Sequence, residues 1–161
     1  VPCKISAIPL IQEHALPPSH EVALTIGLFC SESFTREGFL AAAEKVASVP
    51  VERISKIDIK GKLIVSTDDG REVHGSLKDL RDFMDSSCHR CRDYTAEAAD
   101  ISIGSVGAPE RGFNVVIVRS ERGRQLIQHA TADNTITVDP RPMNRELLAR
   151  LCRKKKGDLG G

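Results

Sequence analysis

Residues 22–29, Val-Ala-Leu-Thr-Ile-Gly-Leu-Phe, make a continuous and mostly apolar run of strand length that stops at Cys30. The run lacks polar–apolar alternation, so it predicts a strand buried on both faces of a parallel sheet. Beyond Cys30 the expected elements alternate in kind. Thr35 is placed to cap a helix running through Ser48, with Phe39, Leu40, Ala43 and Val46 or Ala47 at helical spacing and Pro50 closing it. The period then changes to two over Ile57, Ile59, Leu63, Val65 and Val73, with Asp68-Asp69-Gly70 as a turn, which predicts an antiparallel hairpin or short meander.

A further helix is expected from Ser76, whose Ser-x-x-Asp spacing to Asp79 resembles a capping box, with Leu77, Leu80, Phe83 and Met84 as its apolar stripe. Short strands are expected at 99–104, 114–119 and 135–138. Ser120 and Asn144 are placed to cap two more helices, carrying Leu126 and Ile127, and Leu147, Leu148 and Leu151. Pro17-Pro18-Ser19 reads as a turn. These elements predict an α/β fold: a mixed sheet with flanking helices and an antiparallel hairpin insertion, built as a single domain over 1–161.

Charge excludes more than it assigns. Lys plus Arg number 23 against 22 Asp plus Glu, which makes no electrostatic case for a nucleic-acid or anionic-membrane partner. Arg153-Lys154-Lys155-Lys156 is the one basic run, and cations also suit a helix C-terminus. No apolar stretch approaches the roughly 20 residues a membrane span needs. With no leader-like start, the expected location is cytoplasmic. The Val-Pro-Cys start reads as that of a fragment or processed product.

Five cysteines in a reducing compartment point to metal or redox chemistry rather than a disulfide framework. Cys88 and Cys91 flank His89-Arg90, Cys3 follows Pro2, and Cys30 ends the apolar strand, where open sheets present their ligands. Cys152, four residues after Leu148, has the spacing of a core or half-buried residue. A lone Cys-x-x-Cys is compatible with a dithiol oxidoreductase, half a zinc site or half an iron–sulfur site. Its place after a helix, rather than at a helix start, counts against the dithiol. Cys3, Cys30, Cys88 and Cys91 supply the four soft ligands of a cluster, and one tight pair with two dispersed thiols suits iron–sulfur slightly better than zinc. On the residues alone, that reading and one of four unligated thiols stand level. Arg90 and Arg92 are placed to raise the potential of an anionic cluster. Gly104, Gly107 and Gly112 supply a flexible loop after a strand, and Lys60-Gly61-Lys62 supplies cations. As isolated motifs both read as turns. Neither a Gly-x-Ser-x-Gly elbow nor a His-Glu-x-x-His motif occurs.

Five patterns in order carry a resemblance: "VPCKISAI" at the start, "IGLFCSESF" at 26–34, and "CHRCRDYTAEAADISIG" at 88–104 with its Cys-x-x-Cys-x-Asp-Tyr and Ala-Asp-Ile-Ser-x-Gly parts. The fifth is the Arg-Ser-x-x-Gly of "FNVVIVRSERGRQLI" at 113–127. Together they resemble the C-terminal region of the family of coenzyme F-420 hydrogenase/dehydrogenase beta subunits. The resemblance implies the C-terminal part of a longer flavo-iron–sulfur subunit that passes electrons between the deazaflavin coenzyme F-420 or a similar hydride donor, FAD and a 4Fe-4S cluster. It implies Cys3, Cys30, Cys88 and Cys91 as cluster ligands. It puts Asp100, Ser102, Gly104 and Gly107 near the flavin, and makes Lys60 and Lys62 candidates for its phosphates or for an acidic coenzyme. Implied partners are hydrogenase or dehydrogenase subunits, with self-association left open. Since the family's longer members complete the flavin site upstream, this chain alone is not expected to secure FAD. The loop after Gly104 departs from the family in reading Ser-Val-Gly. A zinc-stabilised or metal-free structural domain is the alternative.

Overall fold

β-Branched runs and capped amphipathic segments sort the chain into two small sheets with helices beside them, a mixed α/β architecture. The computed structural model describes residues 1–17, 21–59 and 61–157. It divides into two compact units, Val1–Ser31 with Cys91–Gly161, and Glu32–Arg90, so the second is inserted in sequence within the first. The expected turn at 17–19 falls largely outside the described residues.

In the first unit, α1 (Pro2–Ile5) and α2 (Ala7–Glu13) precede β1 (Ile26–Leu28). After the insertion come β5 (Ile101–Gly104), β6 (Val115–Val118), α4 (Glu121–Ala132) and α5 (Arg145–Lys156). The sheet order is β1-β5-β6. β1 runs parallel to β5 with Ile26 opposite Ile101, and β6 runs antiparallel to β5 with Gly104 opposite Val115. The parallel pairing matches the apolar run, but its expected burial does not. β1 is a three-residue edge strand whose Ile26 and Leu28 stay half exposed, because among the described residues it has a strand neighbour on one side only and Gly27 alone is buried. The unit's core gathers Tyr94, Val115 and Leu148, with Phe29, Ile117 and Cys152 packed against them.

In the second unit, α3 (Arg36–Ala47) lies against the meander β2 (Ile54–Ile59), β3 (Leu63–Thr67) and β4 (Glu72–Gly75). Thr35 caps α3 by accepting the Gly38 N–H at 3.1 Å. Ala42, Ala43 and Ala47 present a small-residue face on which Leu63 and Val65, both wholly buried, can close. Burial of a leucine of this kind contributes about 2 kcal/mol.

Two elements differ from expectation. Leu77–Phe83 is a 3-10 helix rather than an α-helix. Its apolar residues Leu77, Leu80 and Phe83 recur every three positions, which is the period of a 3-10 helix and places them in one row. Ser76 accepts the Lys78 N–H, while the Asp79 side chain, the other half of the expected capping box, lies outside the described residues. The expected strand at 135–138 is absent. Asn134 turns left-handed at φ 56°, and the Thr135 and Ile136 amides close back on the Ala130 carbonyl at the end of α4, so no strand partner is met. No described helix is long and apolar enough to cross a membrane.

Candidate functional site

β1 hands its chain end to the first candidate ligand. The Phe29 amide bonds the Ile103 carbonyl, continuing the β1–β5 ladder, and the Cys30 amide bonds the Tyr94 carbonyl at 2.9 Å. Cys30 is thereby tied to the loop after Cys91. That loop is shaped by Asp93, whose carboxylate accepts the Thr95 and Glu97 amides at 3.0 and 2.8 Å. The aspartate of the Cys-x-x-Cys-x-Asp pattern is thus a loop former. Cys91 is half buried, its thiol 3.5 Å from the Asp93 carbonyl. Cys3 sits exposed on α1, which packs on β1 where Gly27 leaves room.

Cys88 belongs to the second unit, in the 3-10 turn Ser86–His89, capped by Asp85. The Ser33 N–H points at its sulfur from 3.3 Å. His89, Arg90 and Arg92 are exposed to solvent. None of the five cysteines is in a disulfide. By donor chemistry the four soft thiols fit an iron–sulfur cluster. Among the described residues, no three His, Cys, Asp or Glu side chains stand grouped to hold a metal ion, so the fit is one of donor type and not of convergence.

The residues expected near a flavin are mostly engaged by the fold. Asp100 Oδ2 accepts the Thr25 amide and hydroxyl at 2.8 and 2.9 Å, and the Thr25 hydroxyl in turn accepts the Asp100 amide. Burial opposes ionisation of Asp100, but hydrogen bonds from Ser120 and Thr25 and the Arg122 guanidinium outweigh it and hold the carboxyl below its usual range. Ser102 is wholly buried, donates to the Ala96 carbonyl and accepts from Arg119, which also reaches the Thr95 hydroxyl. A Cβ on Gly104 would lie 2.1 Å from the Phe29 ring. Gly107 adopts φ 87°, and its carbonyl accepts the Asn144 amide, docking the loop on the N-terminus of α5. Lys62, on the second unit's meander, bonds His74 Nδ1 at 2.9 Å, and His74 Nε2 lies 2.7 Å from Glu72. Lys60 lies outside the described residues.

Sequence reasoning missed Thr25, Thr95 and Arg119. Their partners stand 75 residues away for Thr25, and 24 and 17 for Arg119, so only the Arg-Ser-x-x-Gly pattern marked any of them. It also missed a cleft of about 580 Å³ beside β6, lined by Ile103, Pro109, Gly112, Phe113, Val116 and Val138 among others. The loop after Gly104 forms one wall of it, so the glycine loop borders an open space although Gly104 and Gly107 themselves are spent on packing.

The family model for the C terminus of the coenzyme F420 hydrogenase/dehydrogenase beta subunit matches residues 1–143. The chain is 40% identical over 162 residues to the F subunit of F(420)H(2) dehydrogenase from Methanosarcina mazei, covering 98% of this chain and 45% of that one. It is 35% identical over 160 residues to the beta subunit of coenzyme F420 hydrogenase from Methanococcus voltae, covering 96% and 57%. A solved chain of the F420-reducing NiFe hydrogenase complex from Methanosarcina barkeri shares its fold with a TM-score of 0.84 at 32% identity, over 97% of this chain and 56% of that one. The chain thus spans about half the length of the relatives it matches. By motif order, family match and fold, it belongs to the family of coenzyme F420 hydrogenase/dehydrogenase beta subunits and carries that family's C-terminal region.

Proposed function

We propose that this chain is the C-terminal part of an electron-transferring oxidoreductase subunit that takes reducing equivalents from a deazaflavin coenzyme of the F-420 type, or delivers them to it. Relatives named as subunits of F(420)H(2) dehydrogenase and coenzyme F420 hydrogenase support the reading. The observation that carries it is the set of four cysteines outside any disulfide in the family-matched segment, with the Cys30 amide bonded to the Tyr94 carbonyl in the loop after Cys91.

Cys3, Cys30, Cys88 and Cys91 are the residues that would hold a 4Fe-4S cluster, which supplies one-electron transfer when bound, as FAD supplies hydride exchange. The chain's own part is to position and insulate. The Ser33 N–H holds the Cys88 sulfur in position. The Cys30–Tyr94 backbone bond and the Asp93-shaped loop set where Cys30 and Cys91 stand. The Phe29 and Tyr94 rings, 5.8 Å apart, exclude water beside Cys30. Arg90 and Arg92, both exposed, would raise the reduction potential of a bound cluster by their charge. The apolar cleft beside β6 is the place in this chain for a flat ring such as a flavin, and hydrogenase or dehydrogenase subunits are the expected partners.

Iron, sulfide and flavin content of the full-length protein purified without oxygen tests this. A brown protein with a broad absorbance that bleaches on dithionite is the expected result. A colourless protein with stoichiometric zinc, or with no metal, would overturn it in favour of a structural role.

A further inference from the structure

Helix α5 lies beyond the family-matched segment and carries a groove of its own. The groove, of about 580 Å³ and largely open to solvent, runs along one helix face between Arg145 and Lys156. Its floor is apolar, made by Ile117, Met143, Leu148 and the small Ala149, with the Thr95 hydroxyl and the Cys152 thiol at the side. Its rim is cationic. Lys156 is paired with Glu97 at 2.8 Å, whereas Arg145 and Arg153 have no ion pair or side-chain hydrogen bond with the described residues.

The macrodipole accounts for one of these arginines and not the other. Arg153 stands in the last turn of α5, where a cation is favourable. Arg145 is the first helical residue, directly after the Asn144 cap, where a cation opposes the dipole. An unpaired guanidinium kept at the unfavourable helix end, above an apolar floor, is explained by an anion that comes and goes. Arg145 and Arg153 are eight residues apart, about 12 Å along the axis, a span that long arginine side chains can narrow toward a common ligand.

We propose that this groove binds a phosphorylated small molecule with an apolar body: the phosphates lie on Arg145 and Arg153, and the body lies on Ile117, Leu148 and Ala149. Guanidinium groups recognise phosphate through paired N–H donors, and the floor gives the body a reason to be there that a bare surface cation lacks. The proposal does not depend on the cysteine ligation above.

Cys152 reports on the site from within it. In the intact protein, its alkylation by iodoacetamide, followed by peptide mapping, is expected to slow saturably with ADP, and with inorganic pyrophosphate only at higher concentration. Calorimetric titration with ADP gives the affinity. Arg145→Gln and Arg153→Gln are each expected to weaken ADP about tenfold. Lys154→Gln, on the opposite face of α5, leaves it unchanged. Helicity is retained, since removing the Arg145 cation relieves the dipole. Equal loss in Lys154→Gln would reduce the effect to general charge and overturn the proposal. So would protection by hexaglutamate but not by ADP, which marks a face for acidic protein, and so would a Cys152 that no anion protects. Equal potency of pyrophosphate and ADP would overturn the role of the apolar floor.

Discussion

Asp100 shows how one side chain can hold three elements together. It bonds Thr25 before β1, stands directly before β5, and meets Ser120 and Arg122 at the start of α4. Because its folded value is lowered, its charge stabilises the fold above the ordinary value of 3.8, and that contribution is lost as pH falls through the lowered value. Asp100→Asn is therefore expected to cost about 1–3 kcal/mol at neutral pH. Urea titrations across pH should show the difference from wild type shrinking below pH 4, roughly the ordinary carboxylate range. The neighbouring glycines work by absence. A Cβ on Gly27 would lie 2.2 Å from the Ala96 Cβ, itself at a left-handed φ of 54°, and one on Gly123 would lie 2.7 Å from the Asp100 carbonyl. Gly27→Ala and Gly104→Ala are expected to destabilise by about 1–3 kcal/mol, and Gly27→Ala to slow formation of the loop after Cys91. Urea midpoints check the first, and stopped-flow refolding checks the second.

At the scale of elements, caps were the most legible signals. Thr35, Ser120 and Asn144 each accept an amide three residues on. Thr35→Ala should cost about 1 kcal/mol, read as a lower thermal midpoint. Leu80 is 1% exposed in the 3-10 row, so Leu80→Ala should cost about 2–5 kcal/mol by chemical denaturation, where an exposed helical leucine would cost far less. Element type was less legible where two periods nearly coincide. The spacing of Leu77, Leu80 and Phe83 satisfies helical patterning and a 3-10 row alike, and seven residues are too few to separate them. At 135–138, β-branched residues looked like a strand. A strand also needs a partner, and the amides found the end of α4 instead.

At the scale of the whole molecule, the ligand set makes a prediction that separates five similar thiols. Cys30→Ser in the full-length protein is expected to lose most iron and the visible absorbance, whereas Cys152→Ser retains both, since Cys152 packs in the core around Tyr94 and Leu148. Burial, and then the Glu97 carboxylate, push the Cys152 thiol upward, away from the thiolate a metal needs. Equal iron in both variants would remove Cys30 from the set. The order of the residues is enough for the α/β class, the parallel pairing implied by 22–29, the meander, the caps and the family. Each is encoded in short-range spacing or in motif order. Tertiary structure alone decided that Asp100 and Ser102 are held by Thr25, Arg119 and Ala96, that Gly104 yields its space to Phe29, and that Arg145 meets no side-chain partner among the described residues over an apolar floor. The bonds of Asp100 to Thr25 and of Ser102 to Arg119 cross 75 and 17 residues, and no local pattern records which distant group arrives to satisfy a buried polar atom or fill a missing side chain.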